Sequence, residues 1–336
     1  MPLQIIRQDI TKIEVDAIVN TTNEEMVGYS GVDLAIHEAA GKALDEECRK
    51  LAPLPLGEVR VTGGYALPCE HVIHVRGPVW EGGVLGEEEL LKSAYLLSLG
   101  KAAEYKCRSV ALPLISTGEY GYPKERALPL ALETVSAFLL EHEMTVYLCV
   151  FDEDSTRLSQ KLFGEIENFL DDHLEEGFAF LRRPSSRRRE GSAPFQSEWS
   201  MSCCEEMPSP LPQKDLQGHL CELDQGFKDM LFALIDESGM TDVECYKRAN
   251  VDKRTFSKIK SNRDYRPSKQ TALAFAIALR LDVKKTQALL ATVGMTLSKS
   301  IKFDVIVLYF MENGIYDIFK INEALFHYDQ LLLGSI

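Results

Sequence analysis

The sequence predicts an α/β domain followed by a second domain that is mostly helical. An apolar run at residues 15–19 is typical of a buried strand, and it leads through a loop with Asn and Gly into a helical pattern. A second apolar run at residues 110–115 is followed by the same order of glycine-bearing loop and helix. From residue 225 onward, the apolar residues recur mainly at helical spacing.

The composition is that of a globular protein with room for two domains. The chain has 336 residues and a formal net charge of −14, which argues against generic nucleic-acid binding by the whole molecule. The eight cysteines form no C-x-x-C pair and no zinc-type spacing with His, so we expect reduced thiols and no metal. There is no signal-like apolar segment near residue 1 and no apolar run of ~20 residues. We therefore expect a cytoplasmic protein that does not bind membranes.

Further elements of the first domain are predicted in order along the chain. Short β-branched runs between turn signals predict strands at residues 3–7, 57–63, 71–78 and 144–152. Apolar residues at helical spacing predict helices at residues 42–51, 87–106, 125–141 and 155–175. His74 lies in one of the strands, and we interpret it as a strand-end histidine with a hydrogen-bonded ring rather than as an acid–base group.

Two loops have the composition of an anion-binding site. In the first loop, Gly28 and Gly31 let the backbone approach a ligand closely, and the next helix offers free N–H groups. The second loop follows a buried strand with hydroxyl side chains, glycines and successive N–H groups that can form a concavity for a pyrophosphate. Because open α/β sheets bind ligands at the carboxyl ends of their strands, these loops are candidate ligand contacts.

The residues in both loops resemble the macro domain, an ADP-ribose-binding α/β module. Asn20-Thr21-Thr22-Asn23 is similar to the family's Asn-Ala-Ala-Asn, and Gly31-Val32-Asp33 follows at the family's spacing. The stretch Ser116-Thr117-Gly118-Glu119-Tyr120-Gly121-Tyr122-Pro123 resembles the family's phosphate loop, Ser-Thr-Gly-Ile-Phe-Gly-Tyr-Pro. The chain departs from the family at Tyr29, Ser30 and Glu119, and we expect the Glu119 carboxylate to face solvent because a diphosphate would repel it.

The resemblance implies a fold and a set of ligand contacts. It implies a macro domain over residues 1–178, with three α/β/α layers and a mixed sheet. The Asp9 carboxylate would accept a hydrogen bond from the adenine amine, and Phe151 would pack against the adenine ring. The other implied ligand contacts are Ile10, Asn20, Gly31, Val32, Ser116, Thr117, Gly118, Glu119 and Tyr120.

The resemblance also implies a reaction. In hydrolytic members of the family, the residues that match Asn23 and Asp33 are associated with catalysis. Asn23 would bind the distal ribose, and Asp33 would orient or deprotonate a water that attacks its anomeric carbon. The expected activity, which needs no cofactor, is removal of single ADP-ribose units from acidic side chains or deacylation of O-acetyl-ADP-ribose.

Two alternatives to catalysis stay open at this point. Asp33 lies just ahead of a predicted helix, where an Asp can simply cap the helix. The domain can also bind ADP-ribose or ADP-ribosylated proteins without turnover, as a module that recruits the second domain.

The second domain is predicted to follow a flexible linker. Residues 179–222 form the linker, because the region is rich in Pro, Ser and charge and has no apolar period. In the helical domain at residues 223–336, Thr241 with Glu244 predicts a capping box at a helix start. Two short helices on either side of Asn250-Val251-Asp252 resemble the helix-turn-helix of bacterial repressors.

The charge of the second domain differs from that of the whole chain. Residues 241–300 carry thirteen Lys or Arg and five Asp or Glu, which favours contact with DNA phosphates through this region. Arg254, Ser257, Lys258 and Lys260 would lie on or near the recognition helix. A protein-interaction or dimerisation domain with solvated lysines explains the same charge equally well. An ADP-ribose-responsive regulator would combine both domains, and the oligomeric state is not predicted.

Overall fold

A computed structural model of the chain describes residues 3–150, 166, 169–170, 226–263 and 265–334. The predicted linker and most of the predicted helix at 155–175 lie outside the described residues. Within the described ranges, no helix has both the length and the apolar character needed to cross a membrane.

The first part of the chain folds around a six-stranded sheet. Its strands are β1 (Leu3–Ile6), β2 (Ala17–Thr21), β3 (Val59–Gly63), β4 (His71–Val75), β5 (Ser109–Pro113) and β6 (Thr145–Cys149). Their order across the sheet is β1-β6-β5-β2-β4-β3. All neighbouring strands are parallel except β3, which pairs antiparallel with β4. The predicted mixed sheet is therefore confirmed.

Helices cover both faces of this sheet. They are α1 (Gly31–Ala40), α2 (Lys42–Leu51), α3 (Glu87–Glu104) and α4 (Lys124–Glu141). Successive side chains of a strand point to opposite faces, so Ala17 and Val19 of β2 pack in the core under α3 and α4. Ile18, between them, packs with Ile36 of α1 and Leu44 of α2 in a second core. With one core on each face of the sheet, the first part of the chain has the three α/β/α layers that the resemblance implies.

The second part of the chain is all-helical over its described residues. Its helices are α5 (Phe227–Ser238), α6 (Asp242–Arg248), α7 (Lys253–Ser261), α8 (Lys269–Ala278), α9 (Val283–Ala291), α10 (Lys302–Glu312) and α11 (Ile318–His327). The predicted capping box is confirmed: Thr241 Oγ1 accepts from Glu244 N at 3.2 Å, and the Glu244 carboxylate accepts from Thr241 N at 3.0 Å. Ile166 and Leu170 pack into the core of this helical part, although they lie in the predicted range 1–178.

The helical part contacts the sheet at its edge strand, β1. Asn250, in the turn between α6 and α7, donates from Nδ2 to the carbonyl oxygen of Leu3 and accepts at Oδ1 from its N–H, both at 2.8 Å. Asn250 thus occupies the hydrogen-bonding positions of an absent neighbouring strand. Glu143, just after α4, accepts from the Tyr246 hydroxyl at 3.2 Å and lies 3.6 Å from Lys253 Nζ. The predicted helix-turn-helix region is therefore in contact with the first part of the chain.

Candidate functional site

A cleft of about 320 Å³ opens at the carboxyl ends of β2, β5 and β6. These three strands are neighbours in the sheet and run in the same direction, so their following loops meet at one edge. The cleft is lined by Thr21, Thr22, Asn23, Tyr29, Ser30, Gly31, Val32, Asp33, Pro113, Leu114, Ser116, Thr117, Gly118, Glu119, Tyr120, Lys124, Cys149 and Val150. Both loops that the sequence singles out therefore contribute to the same cleft.

The loop after β2 brings a helix N-terminus to the cleft. Helix α1 begins at Gly31, whose φ of 54° is readily adopted by glycine. The Ser30 side chain makes no capping hydrogen bond to this helix. Since the first N–H groups of a helix have no partner within it, this end of α1 favours an anionic ligand. Asn23 sits at the start of the loop, where its Oδ1 accepts from Val27 N at 3.2 Å.

Asp33 is a buried carboxyl at the wall of the cleft. Its Oδ1 accepts from Asn20 Nδ2 at 2.7 Å, and its Oδ2 accepts from Tyr29 N at 3.3 Å. Burial raises the pKa of Asp33, and this effect exceeds the opposite effects of its hydrogen bonds and of His37. The bond to Tyr29 N also stabilises the start of α1, so the geometry is compatible with both a capping role and a base.

A chain of buried, hydrogen-bonded side chains contacts Asp33 behind the wall of the cleft. Asn20 is fully buried, and its Nδ2 also lies 3.2 Å from His74 Nδ1. On the other side of its ring, His74 Nε2 lies 2.9 Å from Thr62 Oγ1. Burial lowers the pKa of His74 to about 3, so the ring is neutral. Since the Nδ2 group of Asn20 can only donate, His74 Nδ1 is the acceptor and Nε2 carries the proton. The interpretation of His74 as a hydrogen-bonded histidine is confirmed.

His37 is a site residue whose contacts the sequence reasoning missed. Its Nδ1 lies 2.6 Å from Asp45 Oδ1, and its Nε2 faces Asp33 Oδ1 at 3.6 Å. The ring also packs on the first loop, because a Cβ added at Gly28 would lie 2.7 Å from the His37 Cβ. The i, i+4 spacing from Asp33 to His37 within one helix was the available signal, since it places both side chains on the same face.

The loop after β5 is a strained turn with an unpaired hydroxyl. Ser116 has a φ of 66°, is 4% exposed, and its Oγ has no hydrogen-bond partner. A Cβ added at Gly77 would lie 2.1 Å from that Oγ, so only glycine allows this packing. Strained backbone and an unsatisfied buried donor are typical of a loop built to meet a ligand. Glu119 is exposed, as expected from its charge.

The structure brings together most of the predicted site residues. Asn23, Gly31, Val32, Asp33 and Ser116 to Tyr120 all line the cleft, whereas Asn20 lies behind its wall. Asp9 and Ile10 do not line it: Asp9 caps the short turn Ile10–Lys12, and Ile10 packs in the core beside α1. Hydrogen bonds from Thr11 lower the pKa of Asp9 despite the opposing effect of partial burial. Phe151 lies outside the described residues, so the adenine contacts stay predictions.

Some lining residues were not among the predicted ligand contacts. Thr22 lies within the Asn20–Asn23 motif and Lys124 directly follows the second loop, whereas Cys149 becomes a wall residue only because β6 is the neighbour of β5. Burial raises the pKa of the Cys149 thiol to about 12, which makes it a poor nucleophile. Across the part of the chain that the structure describes, no group of three or more His, Cys, Asp or Glu side chains could hold a metal ion.

Comparison with known proteins identifies the family. A family model described as "Macro domain" matches residues 19–131. A "Macro domain-containing protein" of Methanosarcina mazei is 48% identical over 166 residues, which are 49% of this chain and 89% of that protein. An "O-acetyl-ADP-ribose deacetylase" of Escherichia coli K12 is 43% identical over 169 residues, which are 48% of this chain and 96% of that protein.

Solved structures are similar over the same share of the chain. The Oceanobacillus iheyensis macrodomain with ADP has 39% identity, covers 49% of this chain and 92% of its own, and gives a TM-score of 0.45. The Trypanosoma brucei macrodomain in complex with ADP-ribose has 38% identity, covers 46% and 65%, and gives a TM-score of 0.42. Because nearly the whole length of the Methanosarcina and Escherichia proteins aligns at more than 40% identity, this chain belongs to the macro domain family.

Proposed function

We propose that the cleft binds ADP-ribose and that the protein hydrolyses ADP-ribose esters, either mono-ADP-ribosyl esters on acidic protein side chains or O-acetyl-ADP-ribose. The observation that carries the proposal is the position of Asp33, a buried carboxyl with a raised pKa that lines the same cleft as Asn23 and the Ser116 loop. The deacetylase name of the Escherichia coli relative supports the same reaction class.

The cleft has a suitable feature for each part of such a ligand. The N-terminus of α1 and the turn around Ser116 offer N–H and O–H donors to a diphosphate. Asn23 would bind the distal ribose, and Asp33 would accept the proton of a water that attacks its anomeric carbon. A raised pKa makes Asp33 a stronger base than an ordinary aspartate once it is ionised. The aromatic face of Tyr120, which is half-buried at the cleft, can pack against the ribose.

Release of ADP-ribose from a glutamate-modified protein tests the proposal. The comparison includes wild type, Asp33→Asn, Asn23→Ala and, as a control, Glu38→Gln, which removes an exposed acid from the same helix. Loss of a positioned general base costs about 10²- to 10⁴-fold, so Asp33→Asn should lose turnover while it still binds ADP-ribose. Glu38→Gln should match wild type. Equal turnover by Asp33→Asn and wild type would refute the assignment of Asp33 as the base.

The alternative is a module that binds ADP-ribose or ADP-ribosylated proteins without turnover. Tight binding of ADP-ribose by wild type with no release from any ester would establish this alternative.

We also propose that the macro domain occupies residues 1–178 and is joined by a linker at 179–222 to the helical domain at 223–336. In that arrangement, the helical domain would direct the bound ligand to a partner.

DNA is a second candidate partner of residues 241–300. The exposed side chains of Arg254 and Lys258 on α7 favour it. Other cations of the region are already paired within the chain: Lys253 with Glu143, Lys260 with Asp242, and Lys285 with Glu237. These pairs reduce the charge available for phosphates. DNA binding with a steep salt dependence that falls in an Arg254→Ala/Lys258→Ala variant would support this partner.

A further inference from the structure

Arg76 lies at the rim of the cleft, between the two loops that form it. It directly follows β4, and its Nη1 lies 2.8 Å from Oε2 of Glu24, the residue after Asn23. Its charge and a side-chain hydrogen bond also act on the Tyr120 hydroxyl, although burial of that hydroxyl dominates and raises the Tyr120 pKa. Arg76 is thus a partly exposed cation that contacts Glu24 and Tyr120, one residue from each loop, and it is not itself a lining residue of the cleft.

The Arg76–Glu24 ion pair contributes little to the fold. The two side chains are 31% and 53% exposed, and pairs of this kind contribute about 0–1 kcal/mol because water screens them. The guanidinium can therefore exchange Glu24 for another carboxylate at little cost. A cation at this position offsets nearby negative charge, because Glu24, Glu25 and Glu119 are exposed in the two loops and would repel an anion.

The position of Arg76 matters for the ester reaction proposed above, on which this inference rests. If Asn23 and Asp33 hold the anomeric carbon, the acceptor side chain leaves the cleft at their end, next to Glu24 and its partner Arg76. In the hydrolytic step, the water oxygen bonds to the anomeric carbon and its proton passes to Asp33. The bond from that carbon to the acyl oxygen breaks, and the electron pair leaves with the carboxylate. Negative charge therefore develops on the leaving group.

We propose that Arg76 binds this departing carboxylate and so matches the site to acyl esters at the anomeric carbon of ADP-ribose. A guanidinium binds a carboxylate through two parallel N–H donors, and these bonds are stronger than neutral ones. The interaction strengthens as the bond breaks, so it favours the transition state over the ground state. An ADP-ribose unit linked through an ether or an amide would leave no carboxylate and would gain little from Arg76.

Two single variants with opposite expected results test the proposal. Arg76→Met removes the charge and keeps an unbranched apolar stem, whereas Glu24→Gln breaks the same ion pair but leaves the guanidinium free. For Arg76→Met, kcat for release from a glutamate-linked ADP-ribosyl peptide should fall about 10- to 100-fold. This decrease is smaller than the one seen when a fully buried oxyanion donor is removed. Glu24→Gln should keep or raise kcat. The Kd of free ADP-ribose should change less than twofold in both variants.

A purely structural ion pair predicts a different pattern. It predicts similar losses in both variants, since each breaks the pair, and that result would overturn the proposal. Equal kcat for Arg76→Met and wild type would also overturn it while leaving the hydrolase assignment intact. If wild type releases no ADP-ribose at all, the proposed hydrolase function fails and the role of Arg76 fails with it.

The leaving group itself provides a second measurement. In water labelled with ¹⁸O, breakage of the bond at the anomeric carbon puts the label on the ribose, whereas attack on the acyl carbon puts it in the released acid. Label on the ribose is expected, and label in the acid would contradict the role of Arg76. The carboxylate of a weaker acid is a poorer leaving group. Arg76→Met should therefore lose more activity on esters of weaker acids than on esters of stronger acids.

Discussion

Replacement of Asn250 by alanine would remove both hydrogen bonds to Leu3 and leave the N–H and C=O of that residue without partners. Leu3 is 2% exposed and Asn250 is 3% exposed, so water would not easily replace the lost side chain. Each of the two buried groups left without a partner costs about 1–3 kcal/mol, a figure that already includes the lost hydrogen bond. The backbone adds to this, since Asn250 has a φ of 53°, which costs alanine about 1 kcal/mol.

Together, the two unpaired groups and the backbone predict a loss of about 3–7 kcal/mol in the free energy of unfolding. Two further variants separate the contributions. Asn250→Gly loses the same hydrogen bonds but relieves the backbone cost, so it should be about 1 kcal/mol less destabilised than Asn250→Ala. Asn250→Asp keeps an acceptor for the Leu3 N–H but places a carboxylate oxygen against the Leu3 carbonyl, so one favourable contact becomes repulsive.

Urea unfolding followed by circular dichroism measures the free energy, and native-state hydrogen exchange at the Leu3 amide reports the contact directly. The Leu3 amide should exchange faster in Asn250→Ala and Asn250→Gly, while amides in the central strand β2 stay protected. A change below about 0.5 kcal/mol, together with unchanged exchange at Leu3, would show that the turn does not hold β1 in solution.

Two further predictions concern buried carboxyls whose pKa is raised. If Asp33 is the base, it must be ionised to act, so kcat should fall with decreasing pH through a pKa above the ordinary 3.8; a pH–rate profile that is flat down to pH 4 would contradict this. Burial raises the pKa of Glu323, on α11, from 4.5 to about 7, so the folded state keeps a proton that the unfolded chain releases. Stability should therefore be lost as the pH rises from 4.5 to about 7, by roughly 3 kcal/mol. Thermal unfolding should show Glu323→Gln to be more stable than wild type at pH 8 and equal to it at pH 4; equal stability at both values would refute the shift.

Local sequence signals predict most of the elements. Helix α2 (Lys42–Leu51) has the predicted bounds, and the capping box at Thr241 forms as expected. Most strands are shorter than predicted, whereas β2 has the predicted length but begins and ends two residues later. Strand β5 ends at Pro113, and Leu114 already lines the cleft. Helix α9 (Val283–Ala291) was not singled out, although Asp282 caps it at Lys285 N. Local sequence patterns therefore predict the type of an element better than the residues at which it begins and ends.

Contacts between distant residues could not be predicted. Asn250 and Leu3 are separated by 247 positions, and neither has a sequence pattern that points to the other. The contact of Asn20 with His74 likewise depends on β2 and β4 being neighbours. The loop residues of the candidate site were predictable because a short segment carries each of them, whereas their supporting groups come from separate segments.

The edge position of β1 has a consequence for shortened forms of the protein. A fragment that ends before residue 226 would lack Asn250, and β1 would then present the free N–H and C=O of Leu3 to solvent. An open edge of this kind is a template for another strand. Such fragments should self-associate through β1 at high concentration, even though their ligand cleft, at the far end of the strands, would remain intact. By pairing with this edge, Asn250 would therefore also limit aggregation through β1.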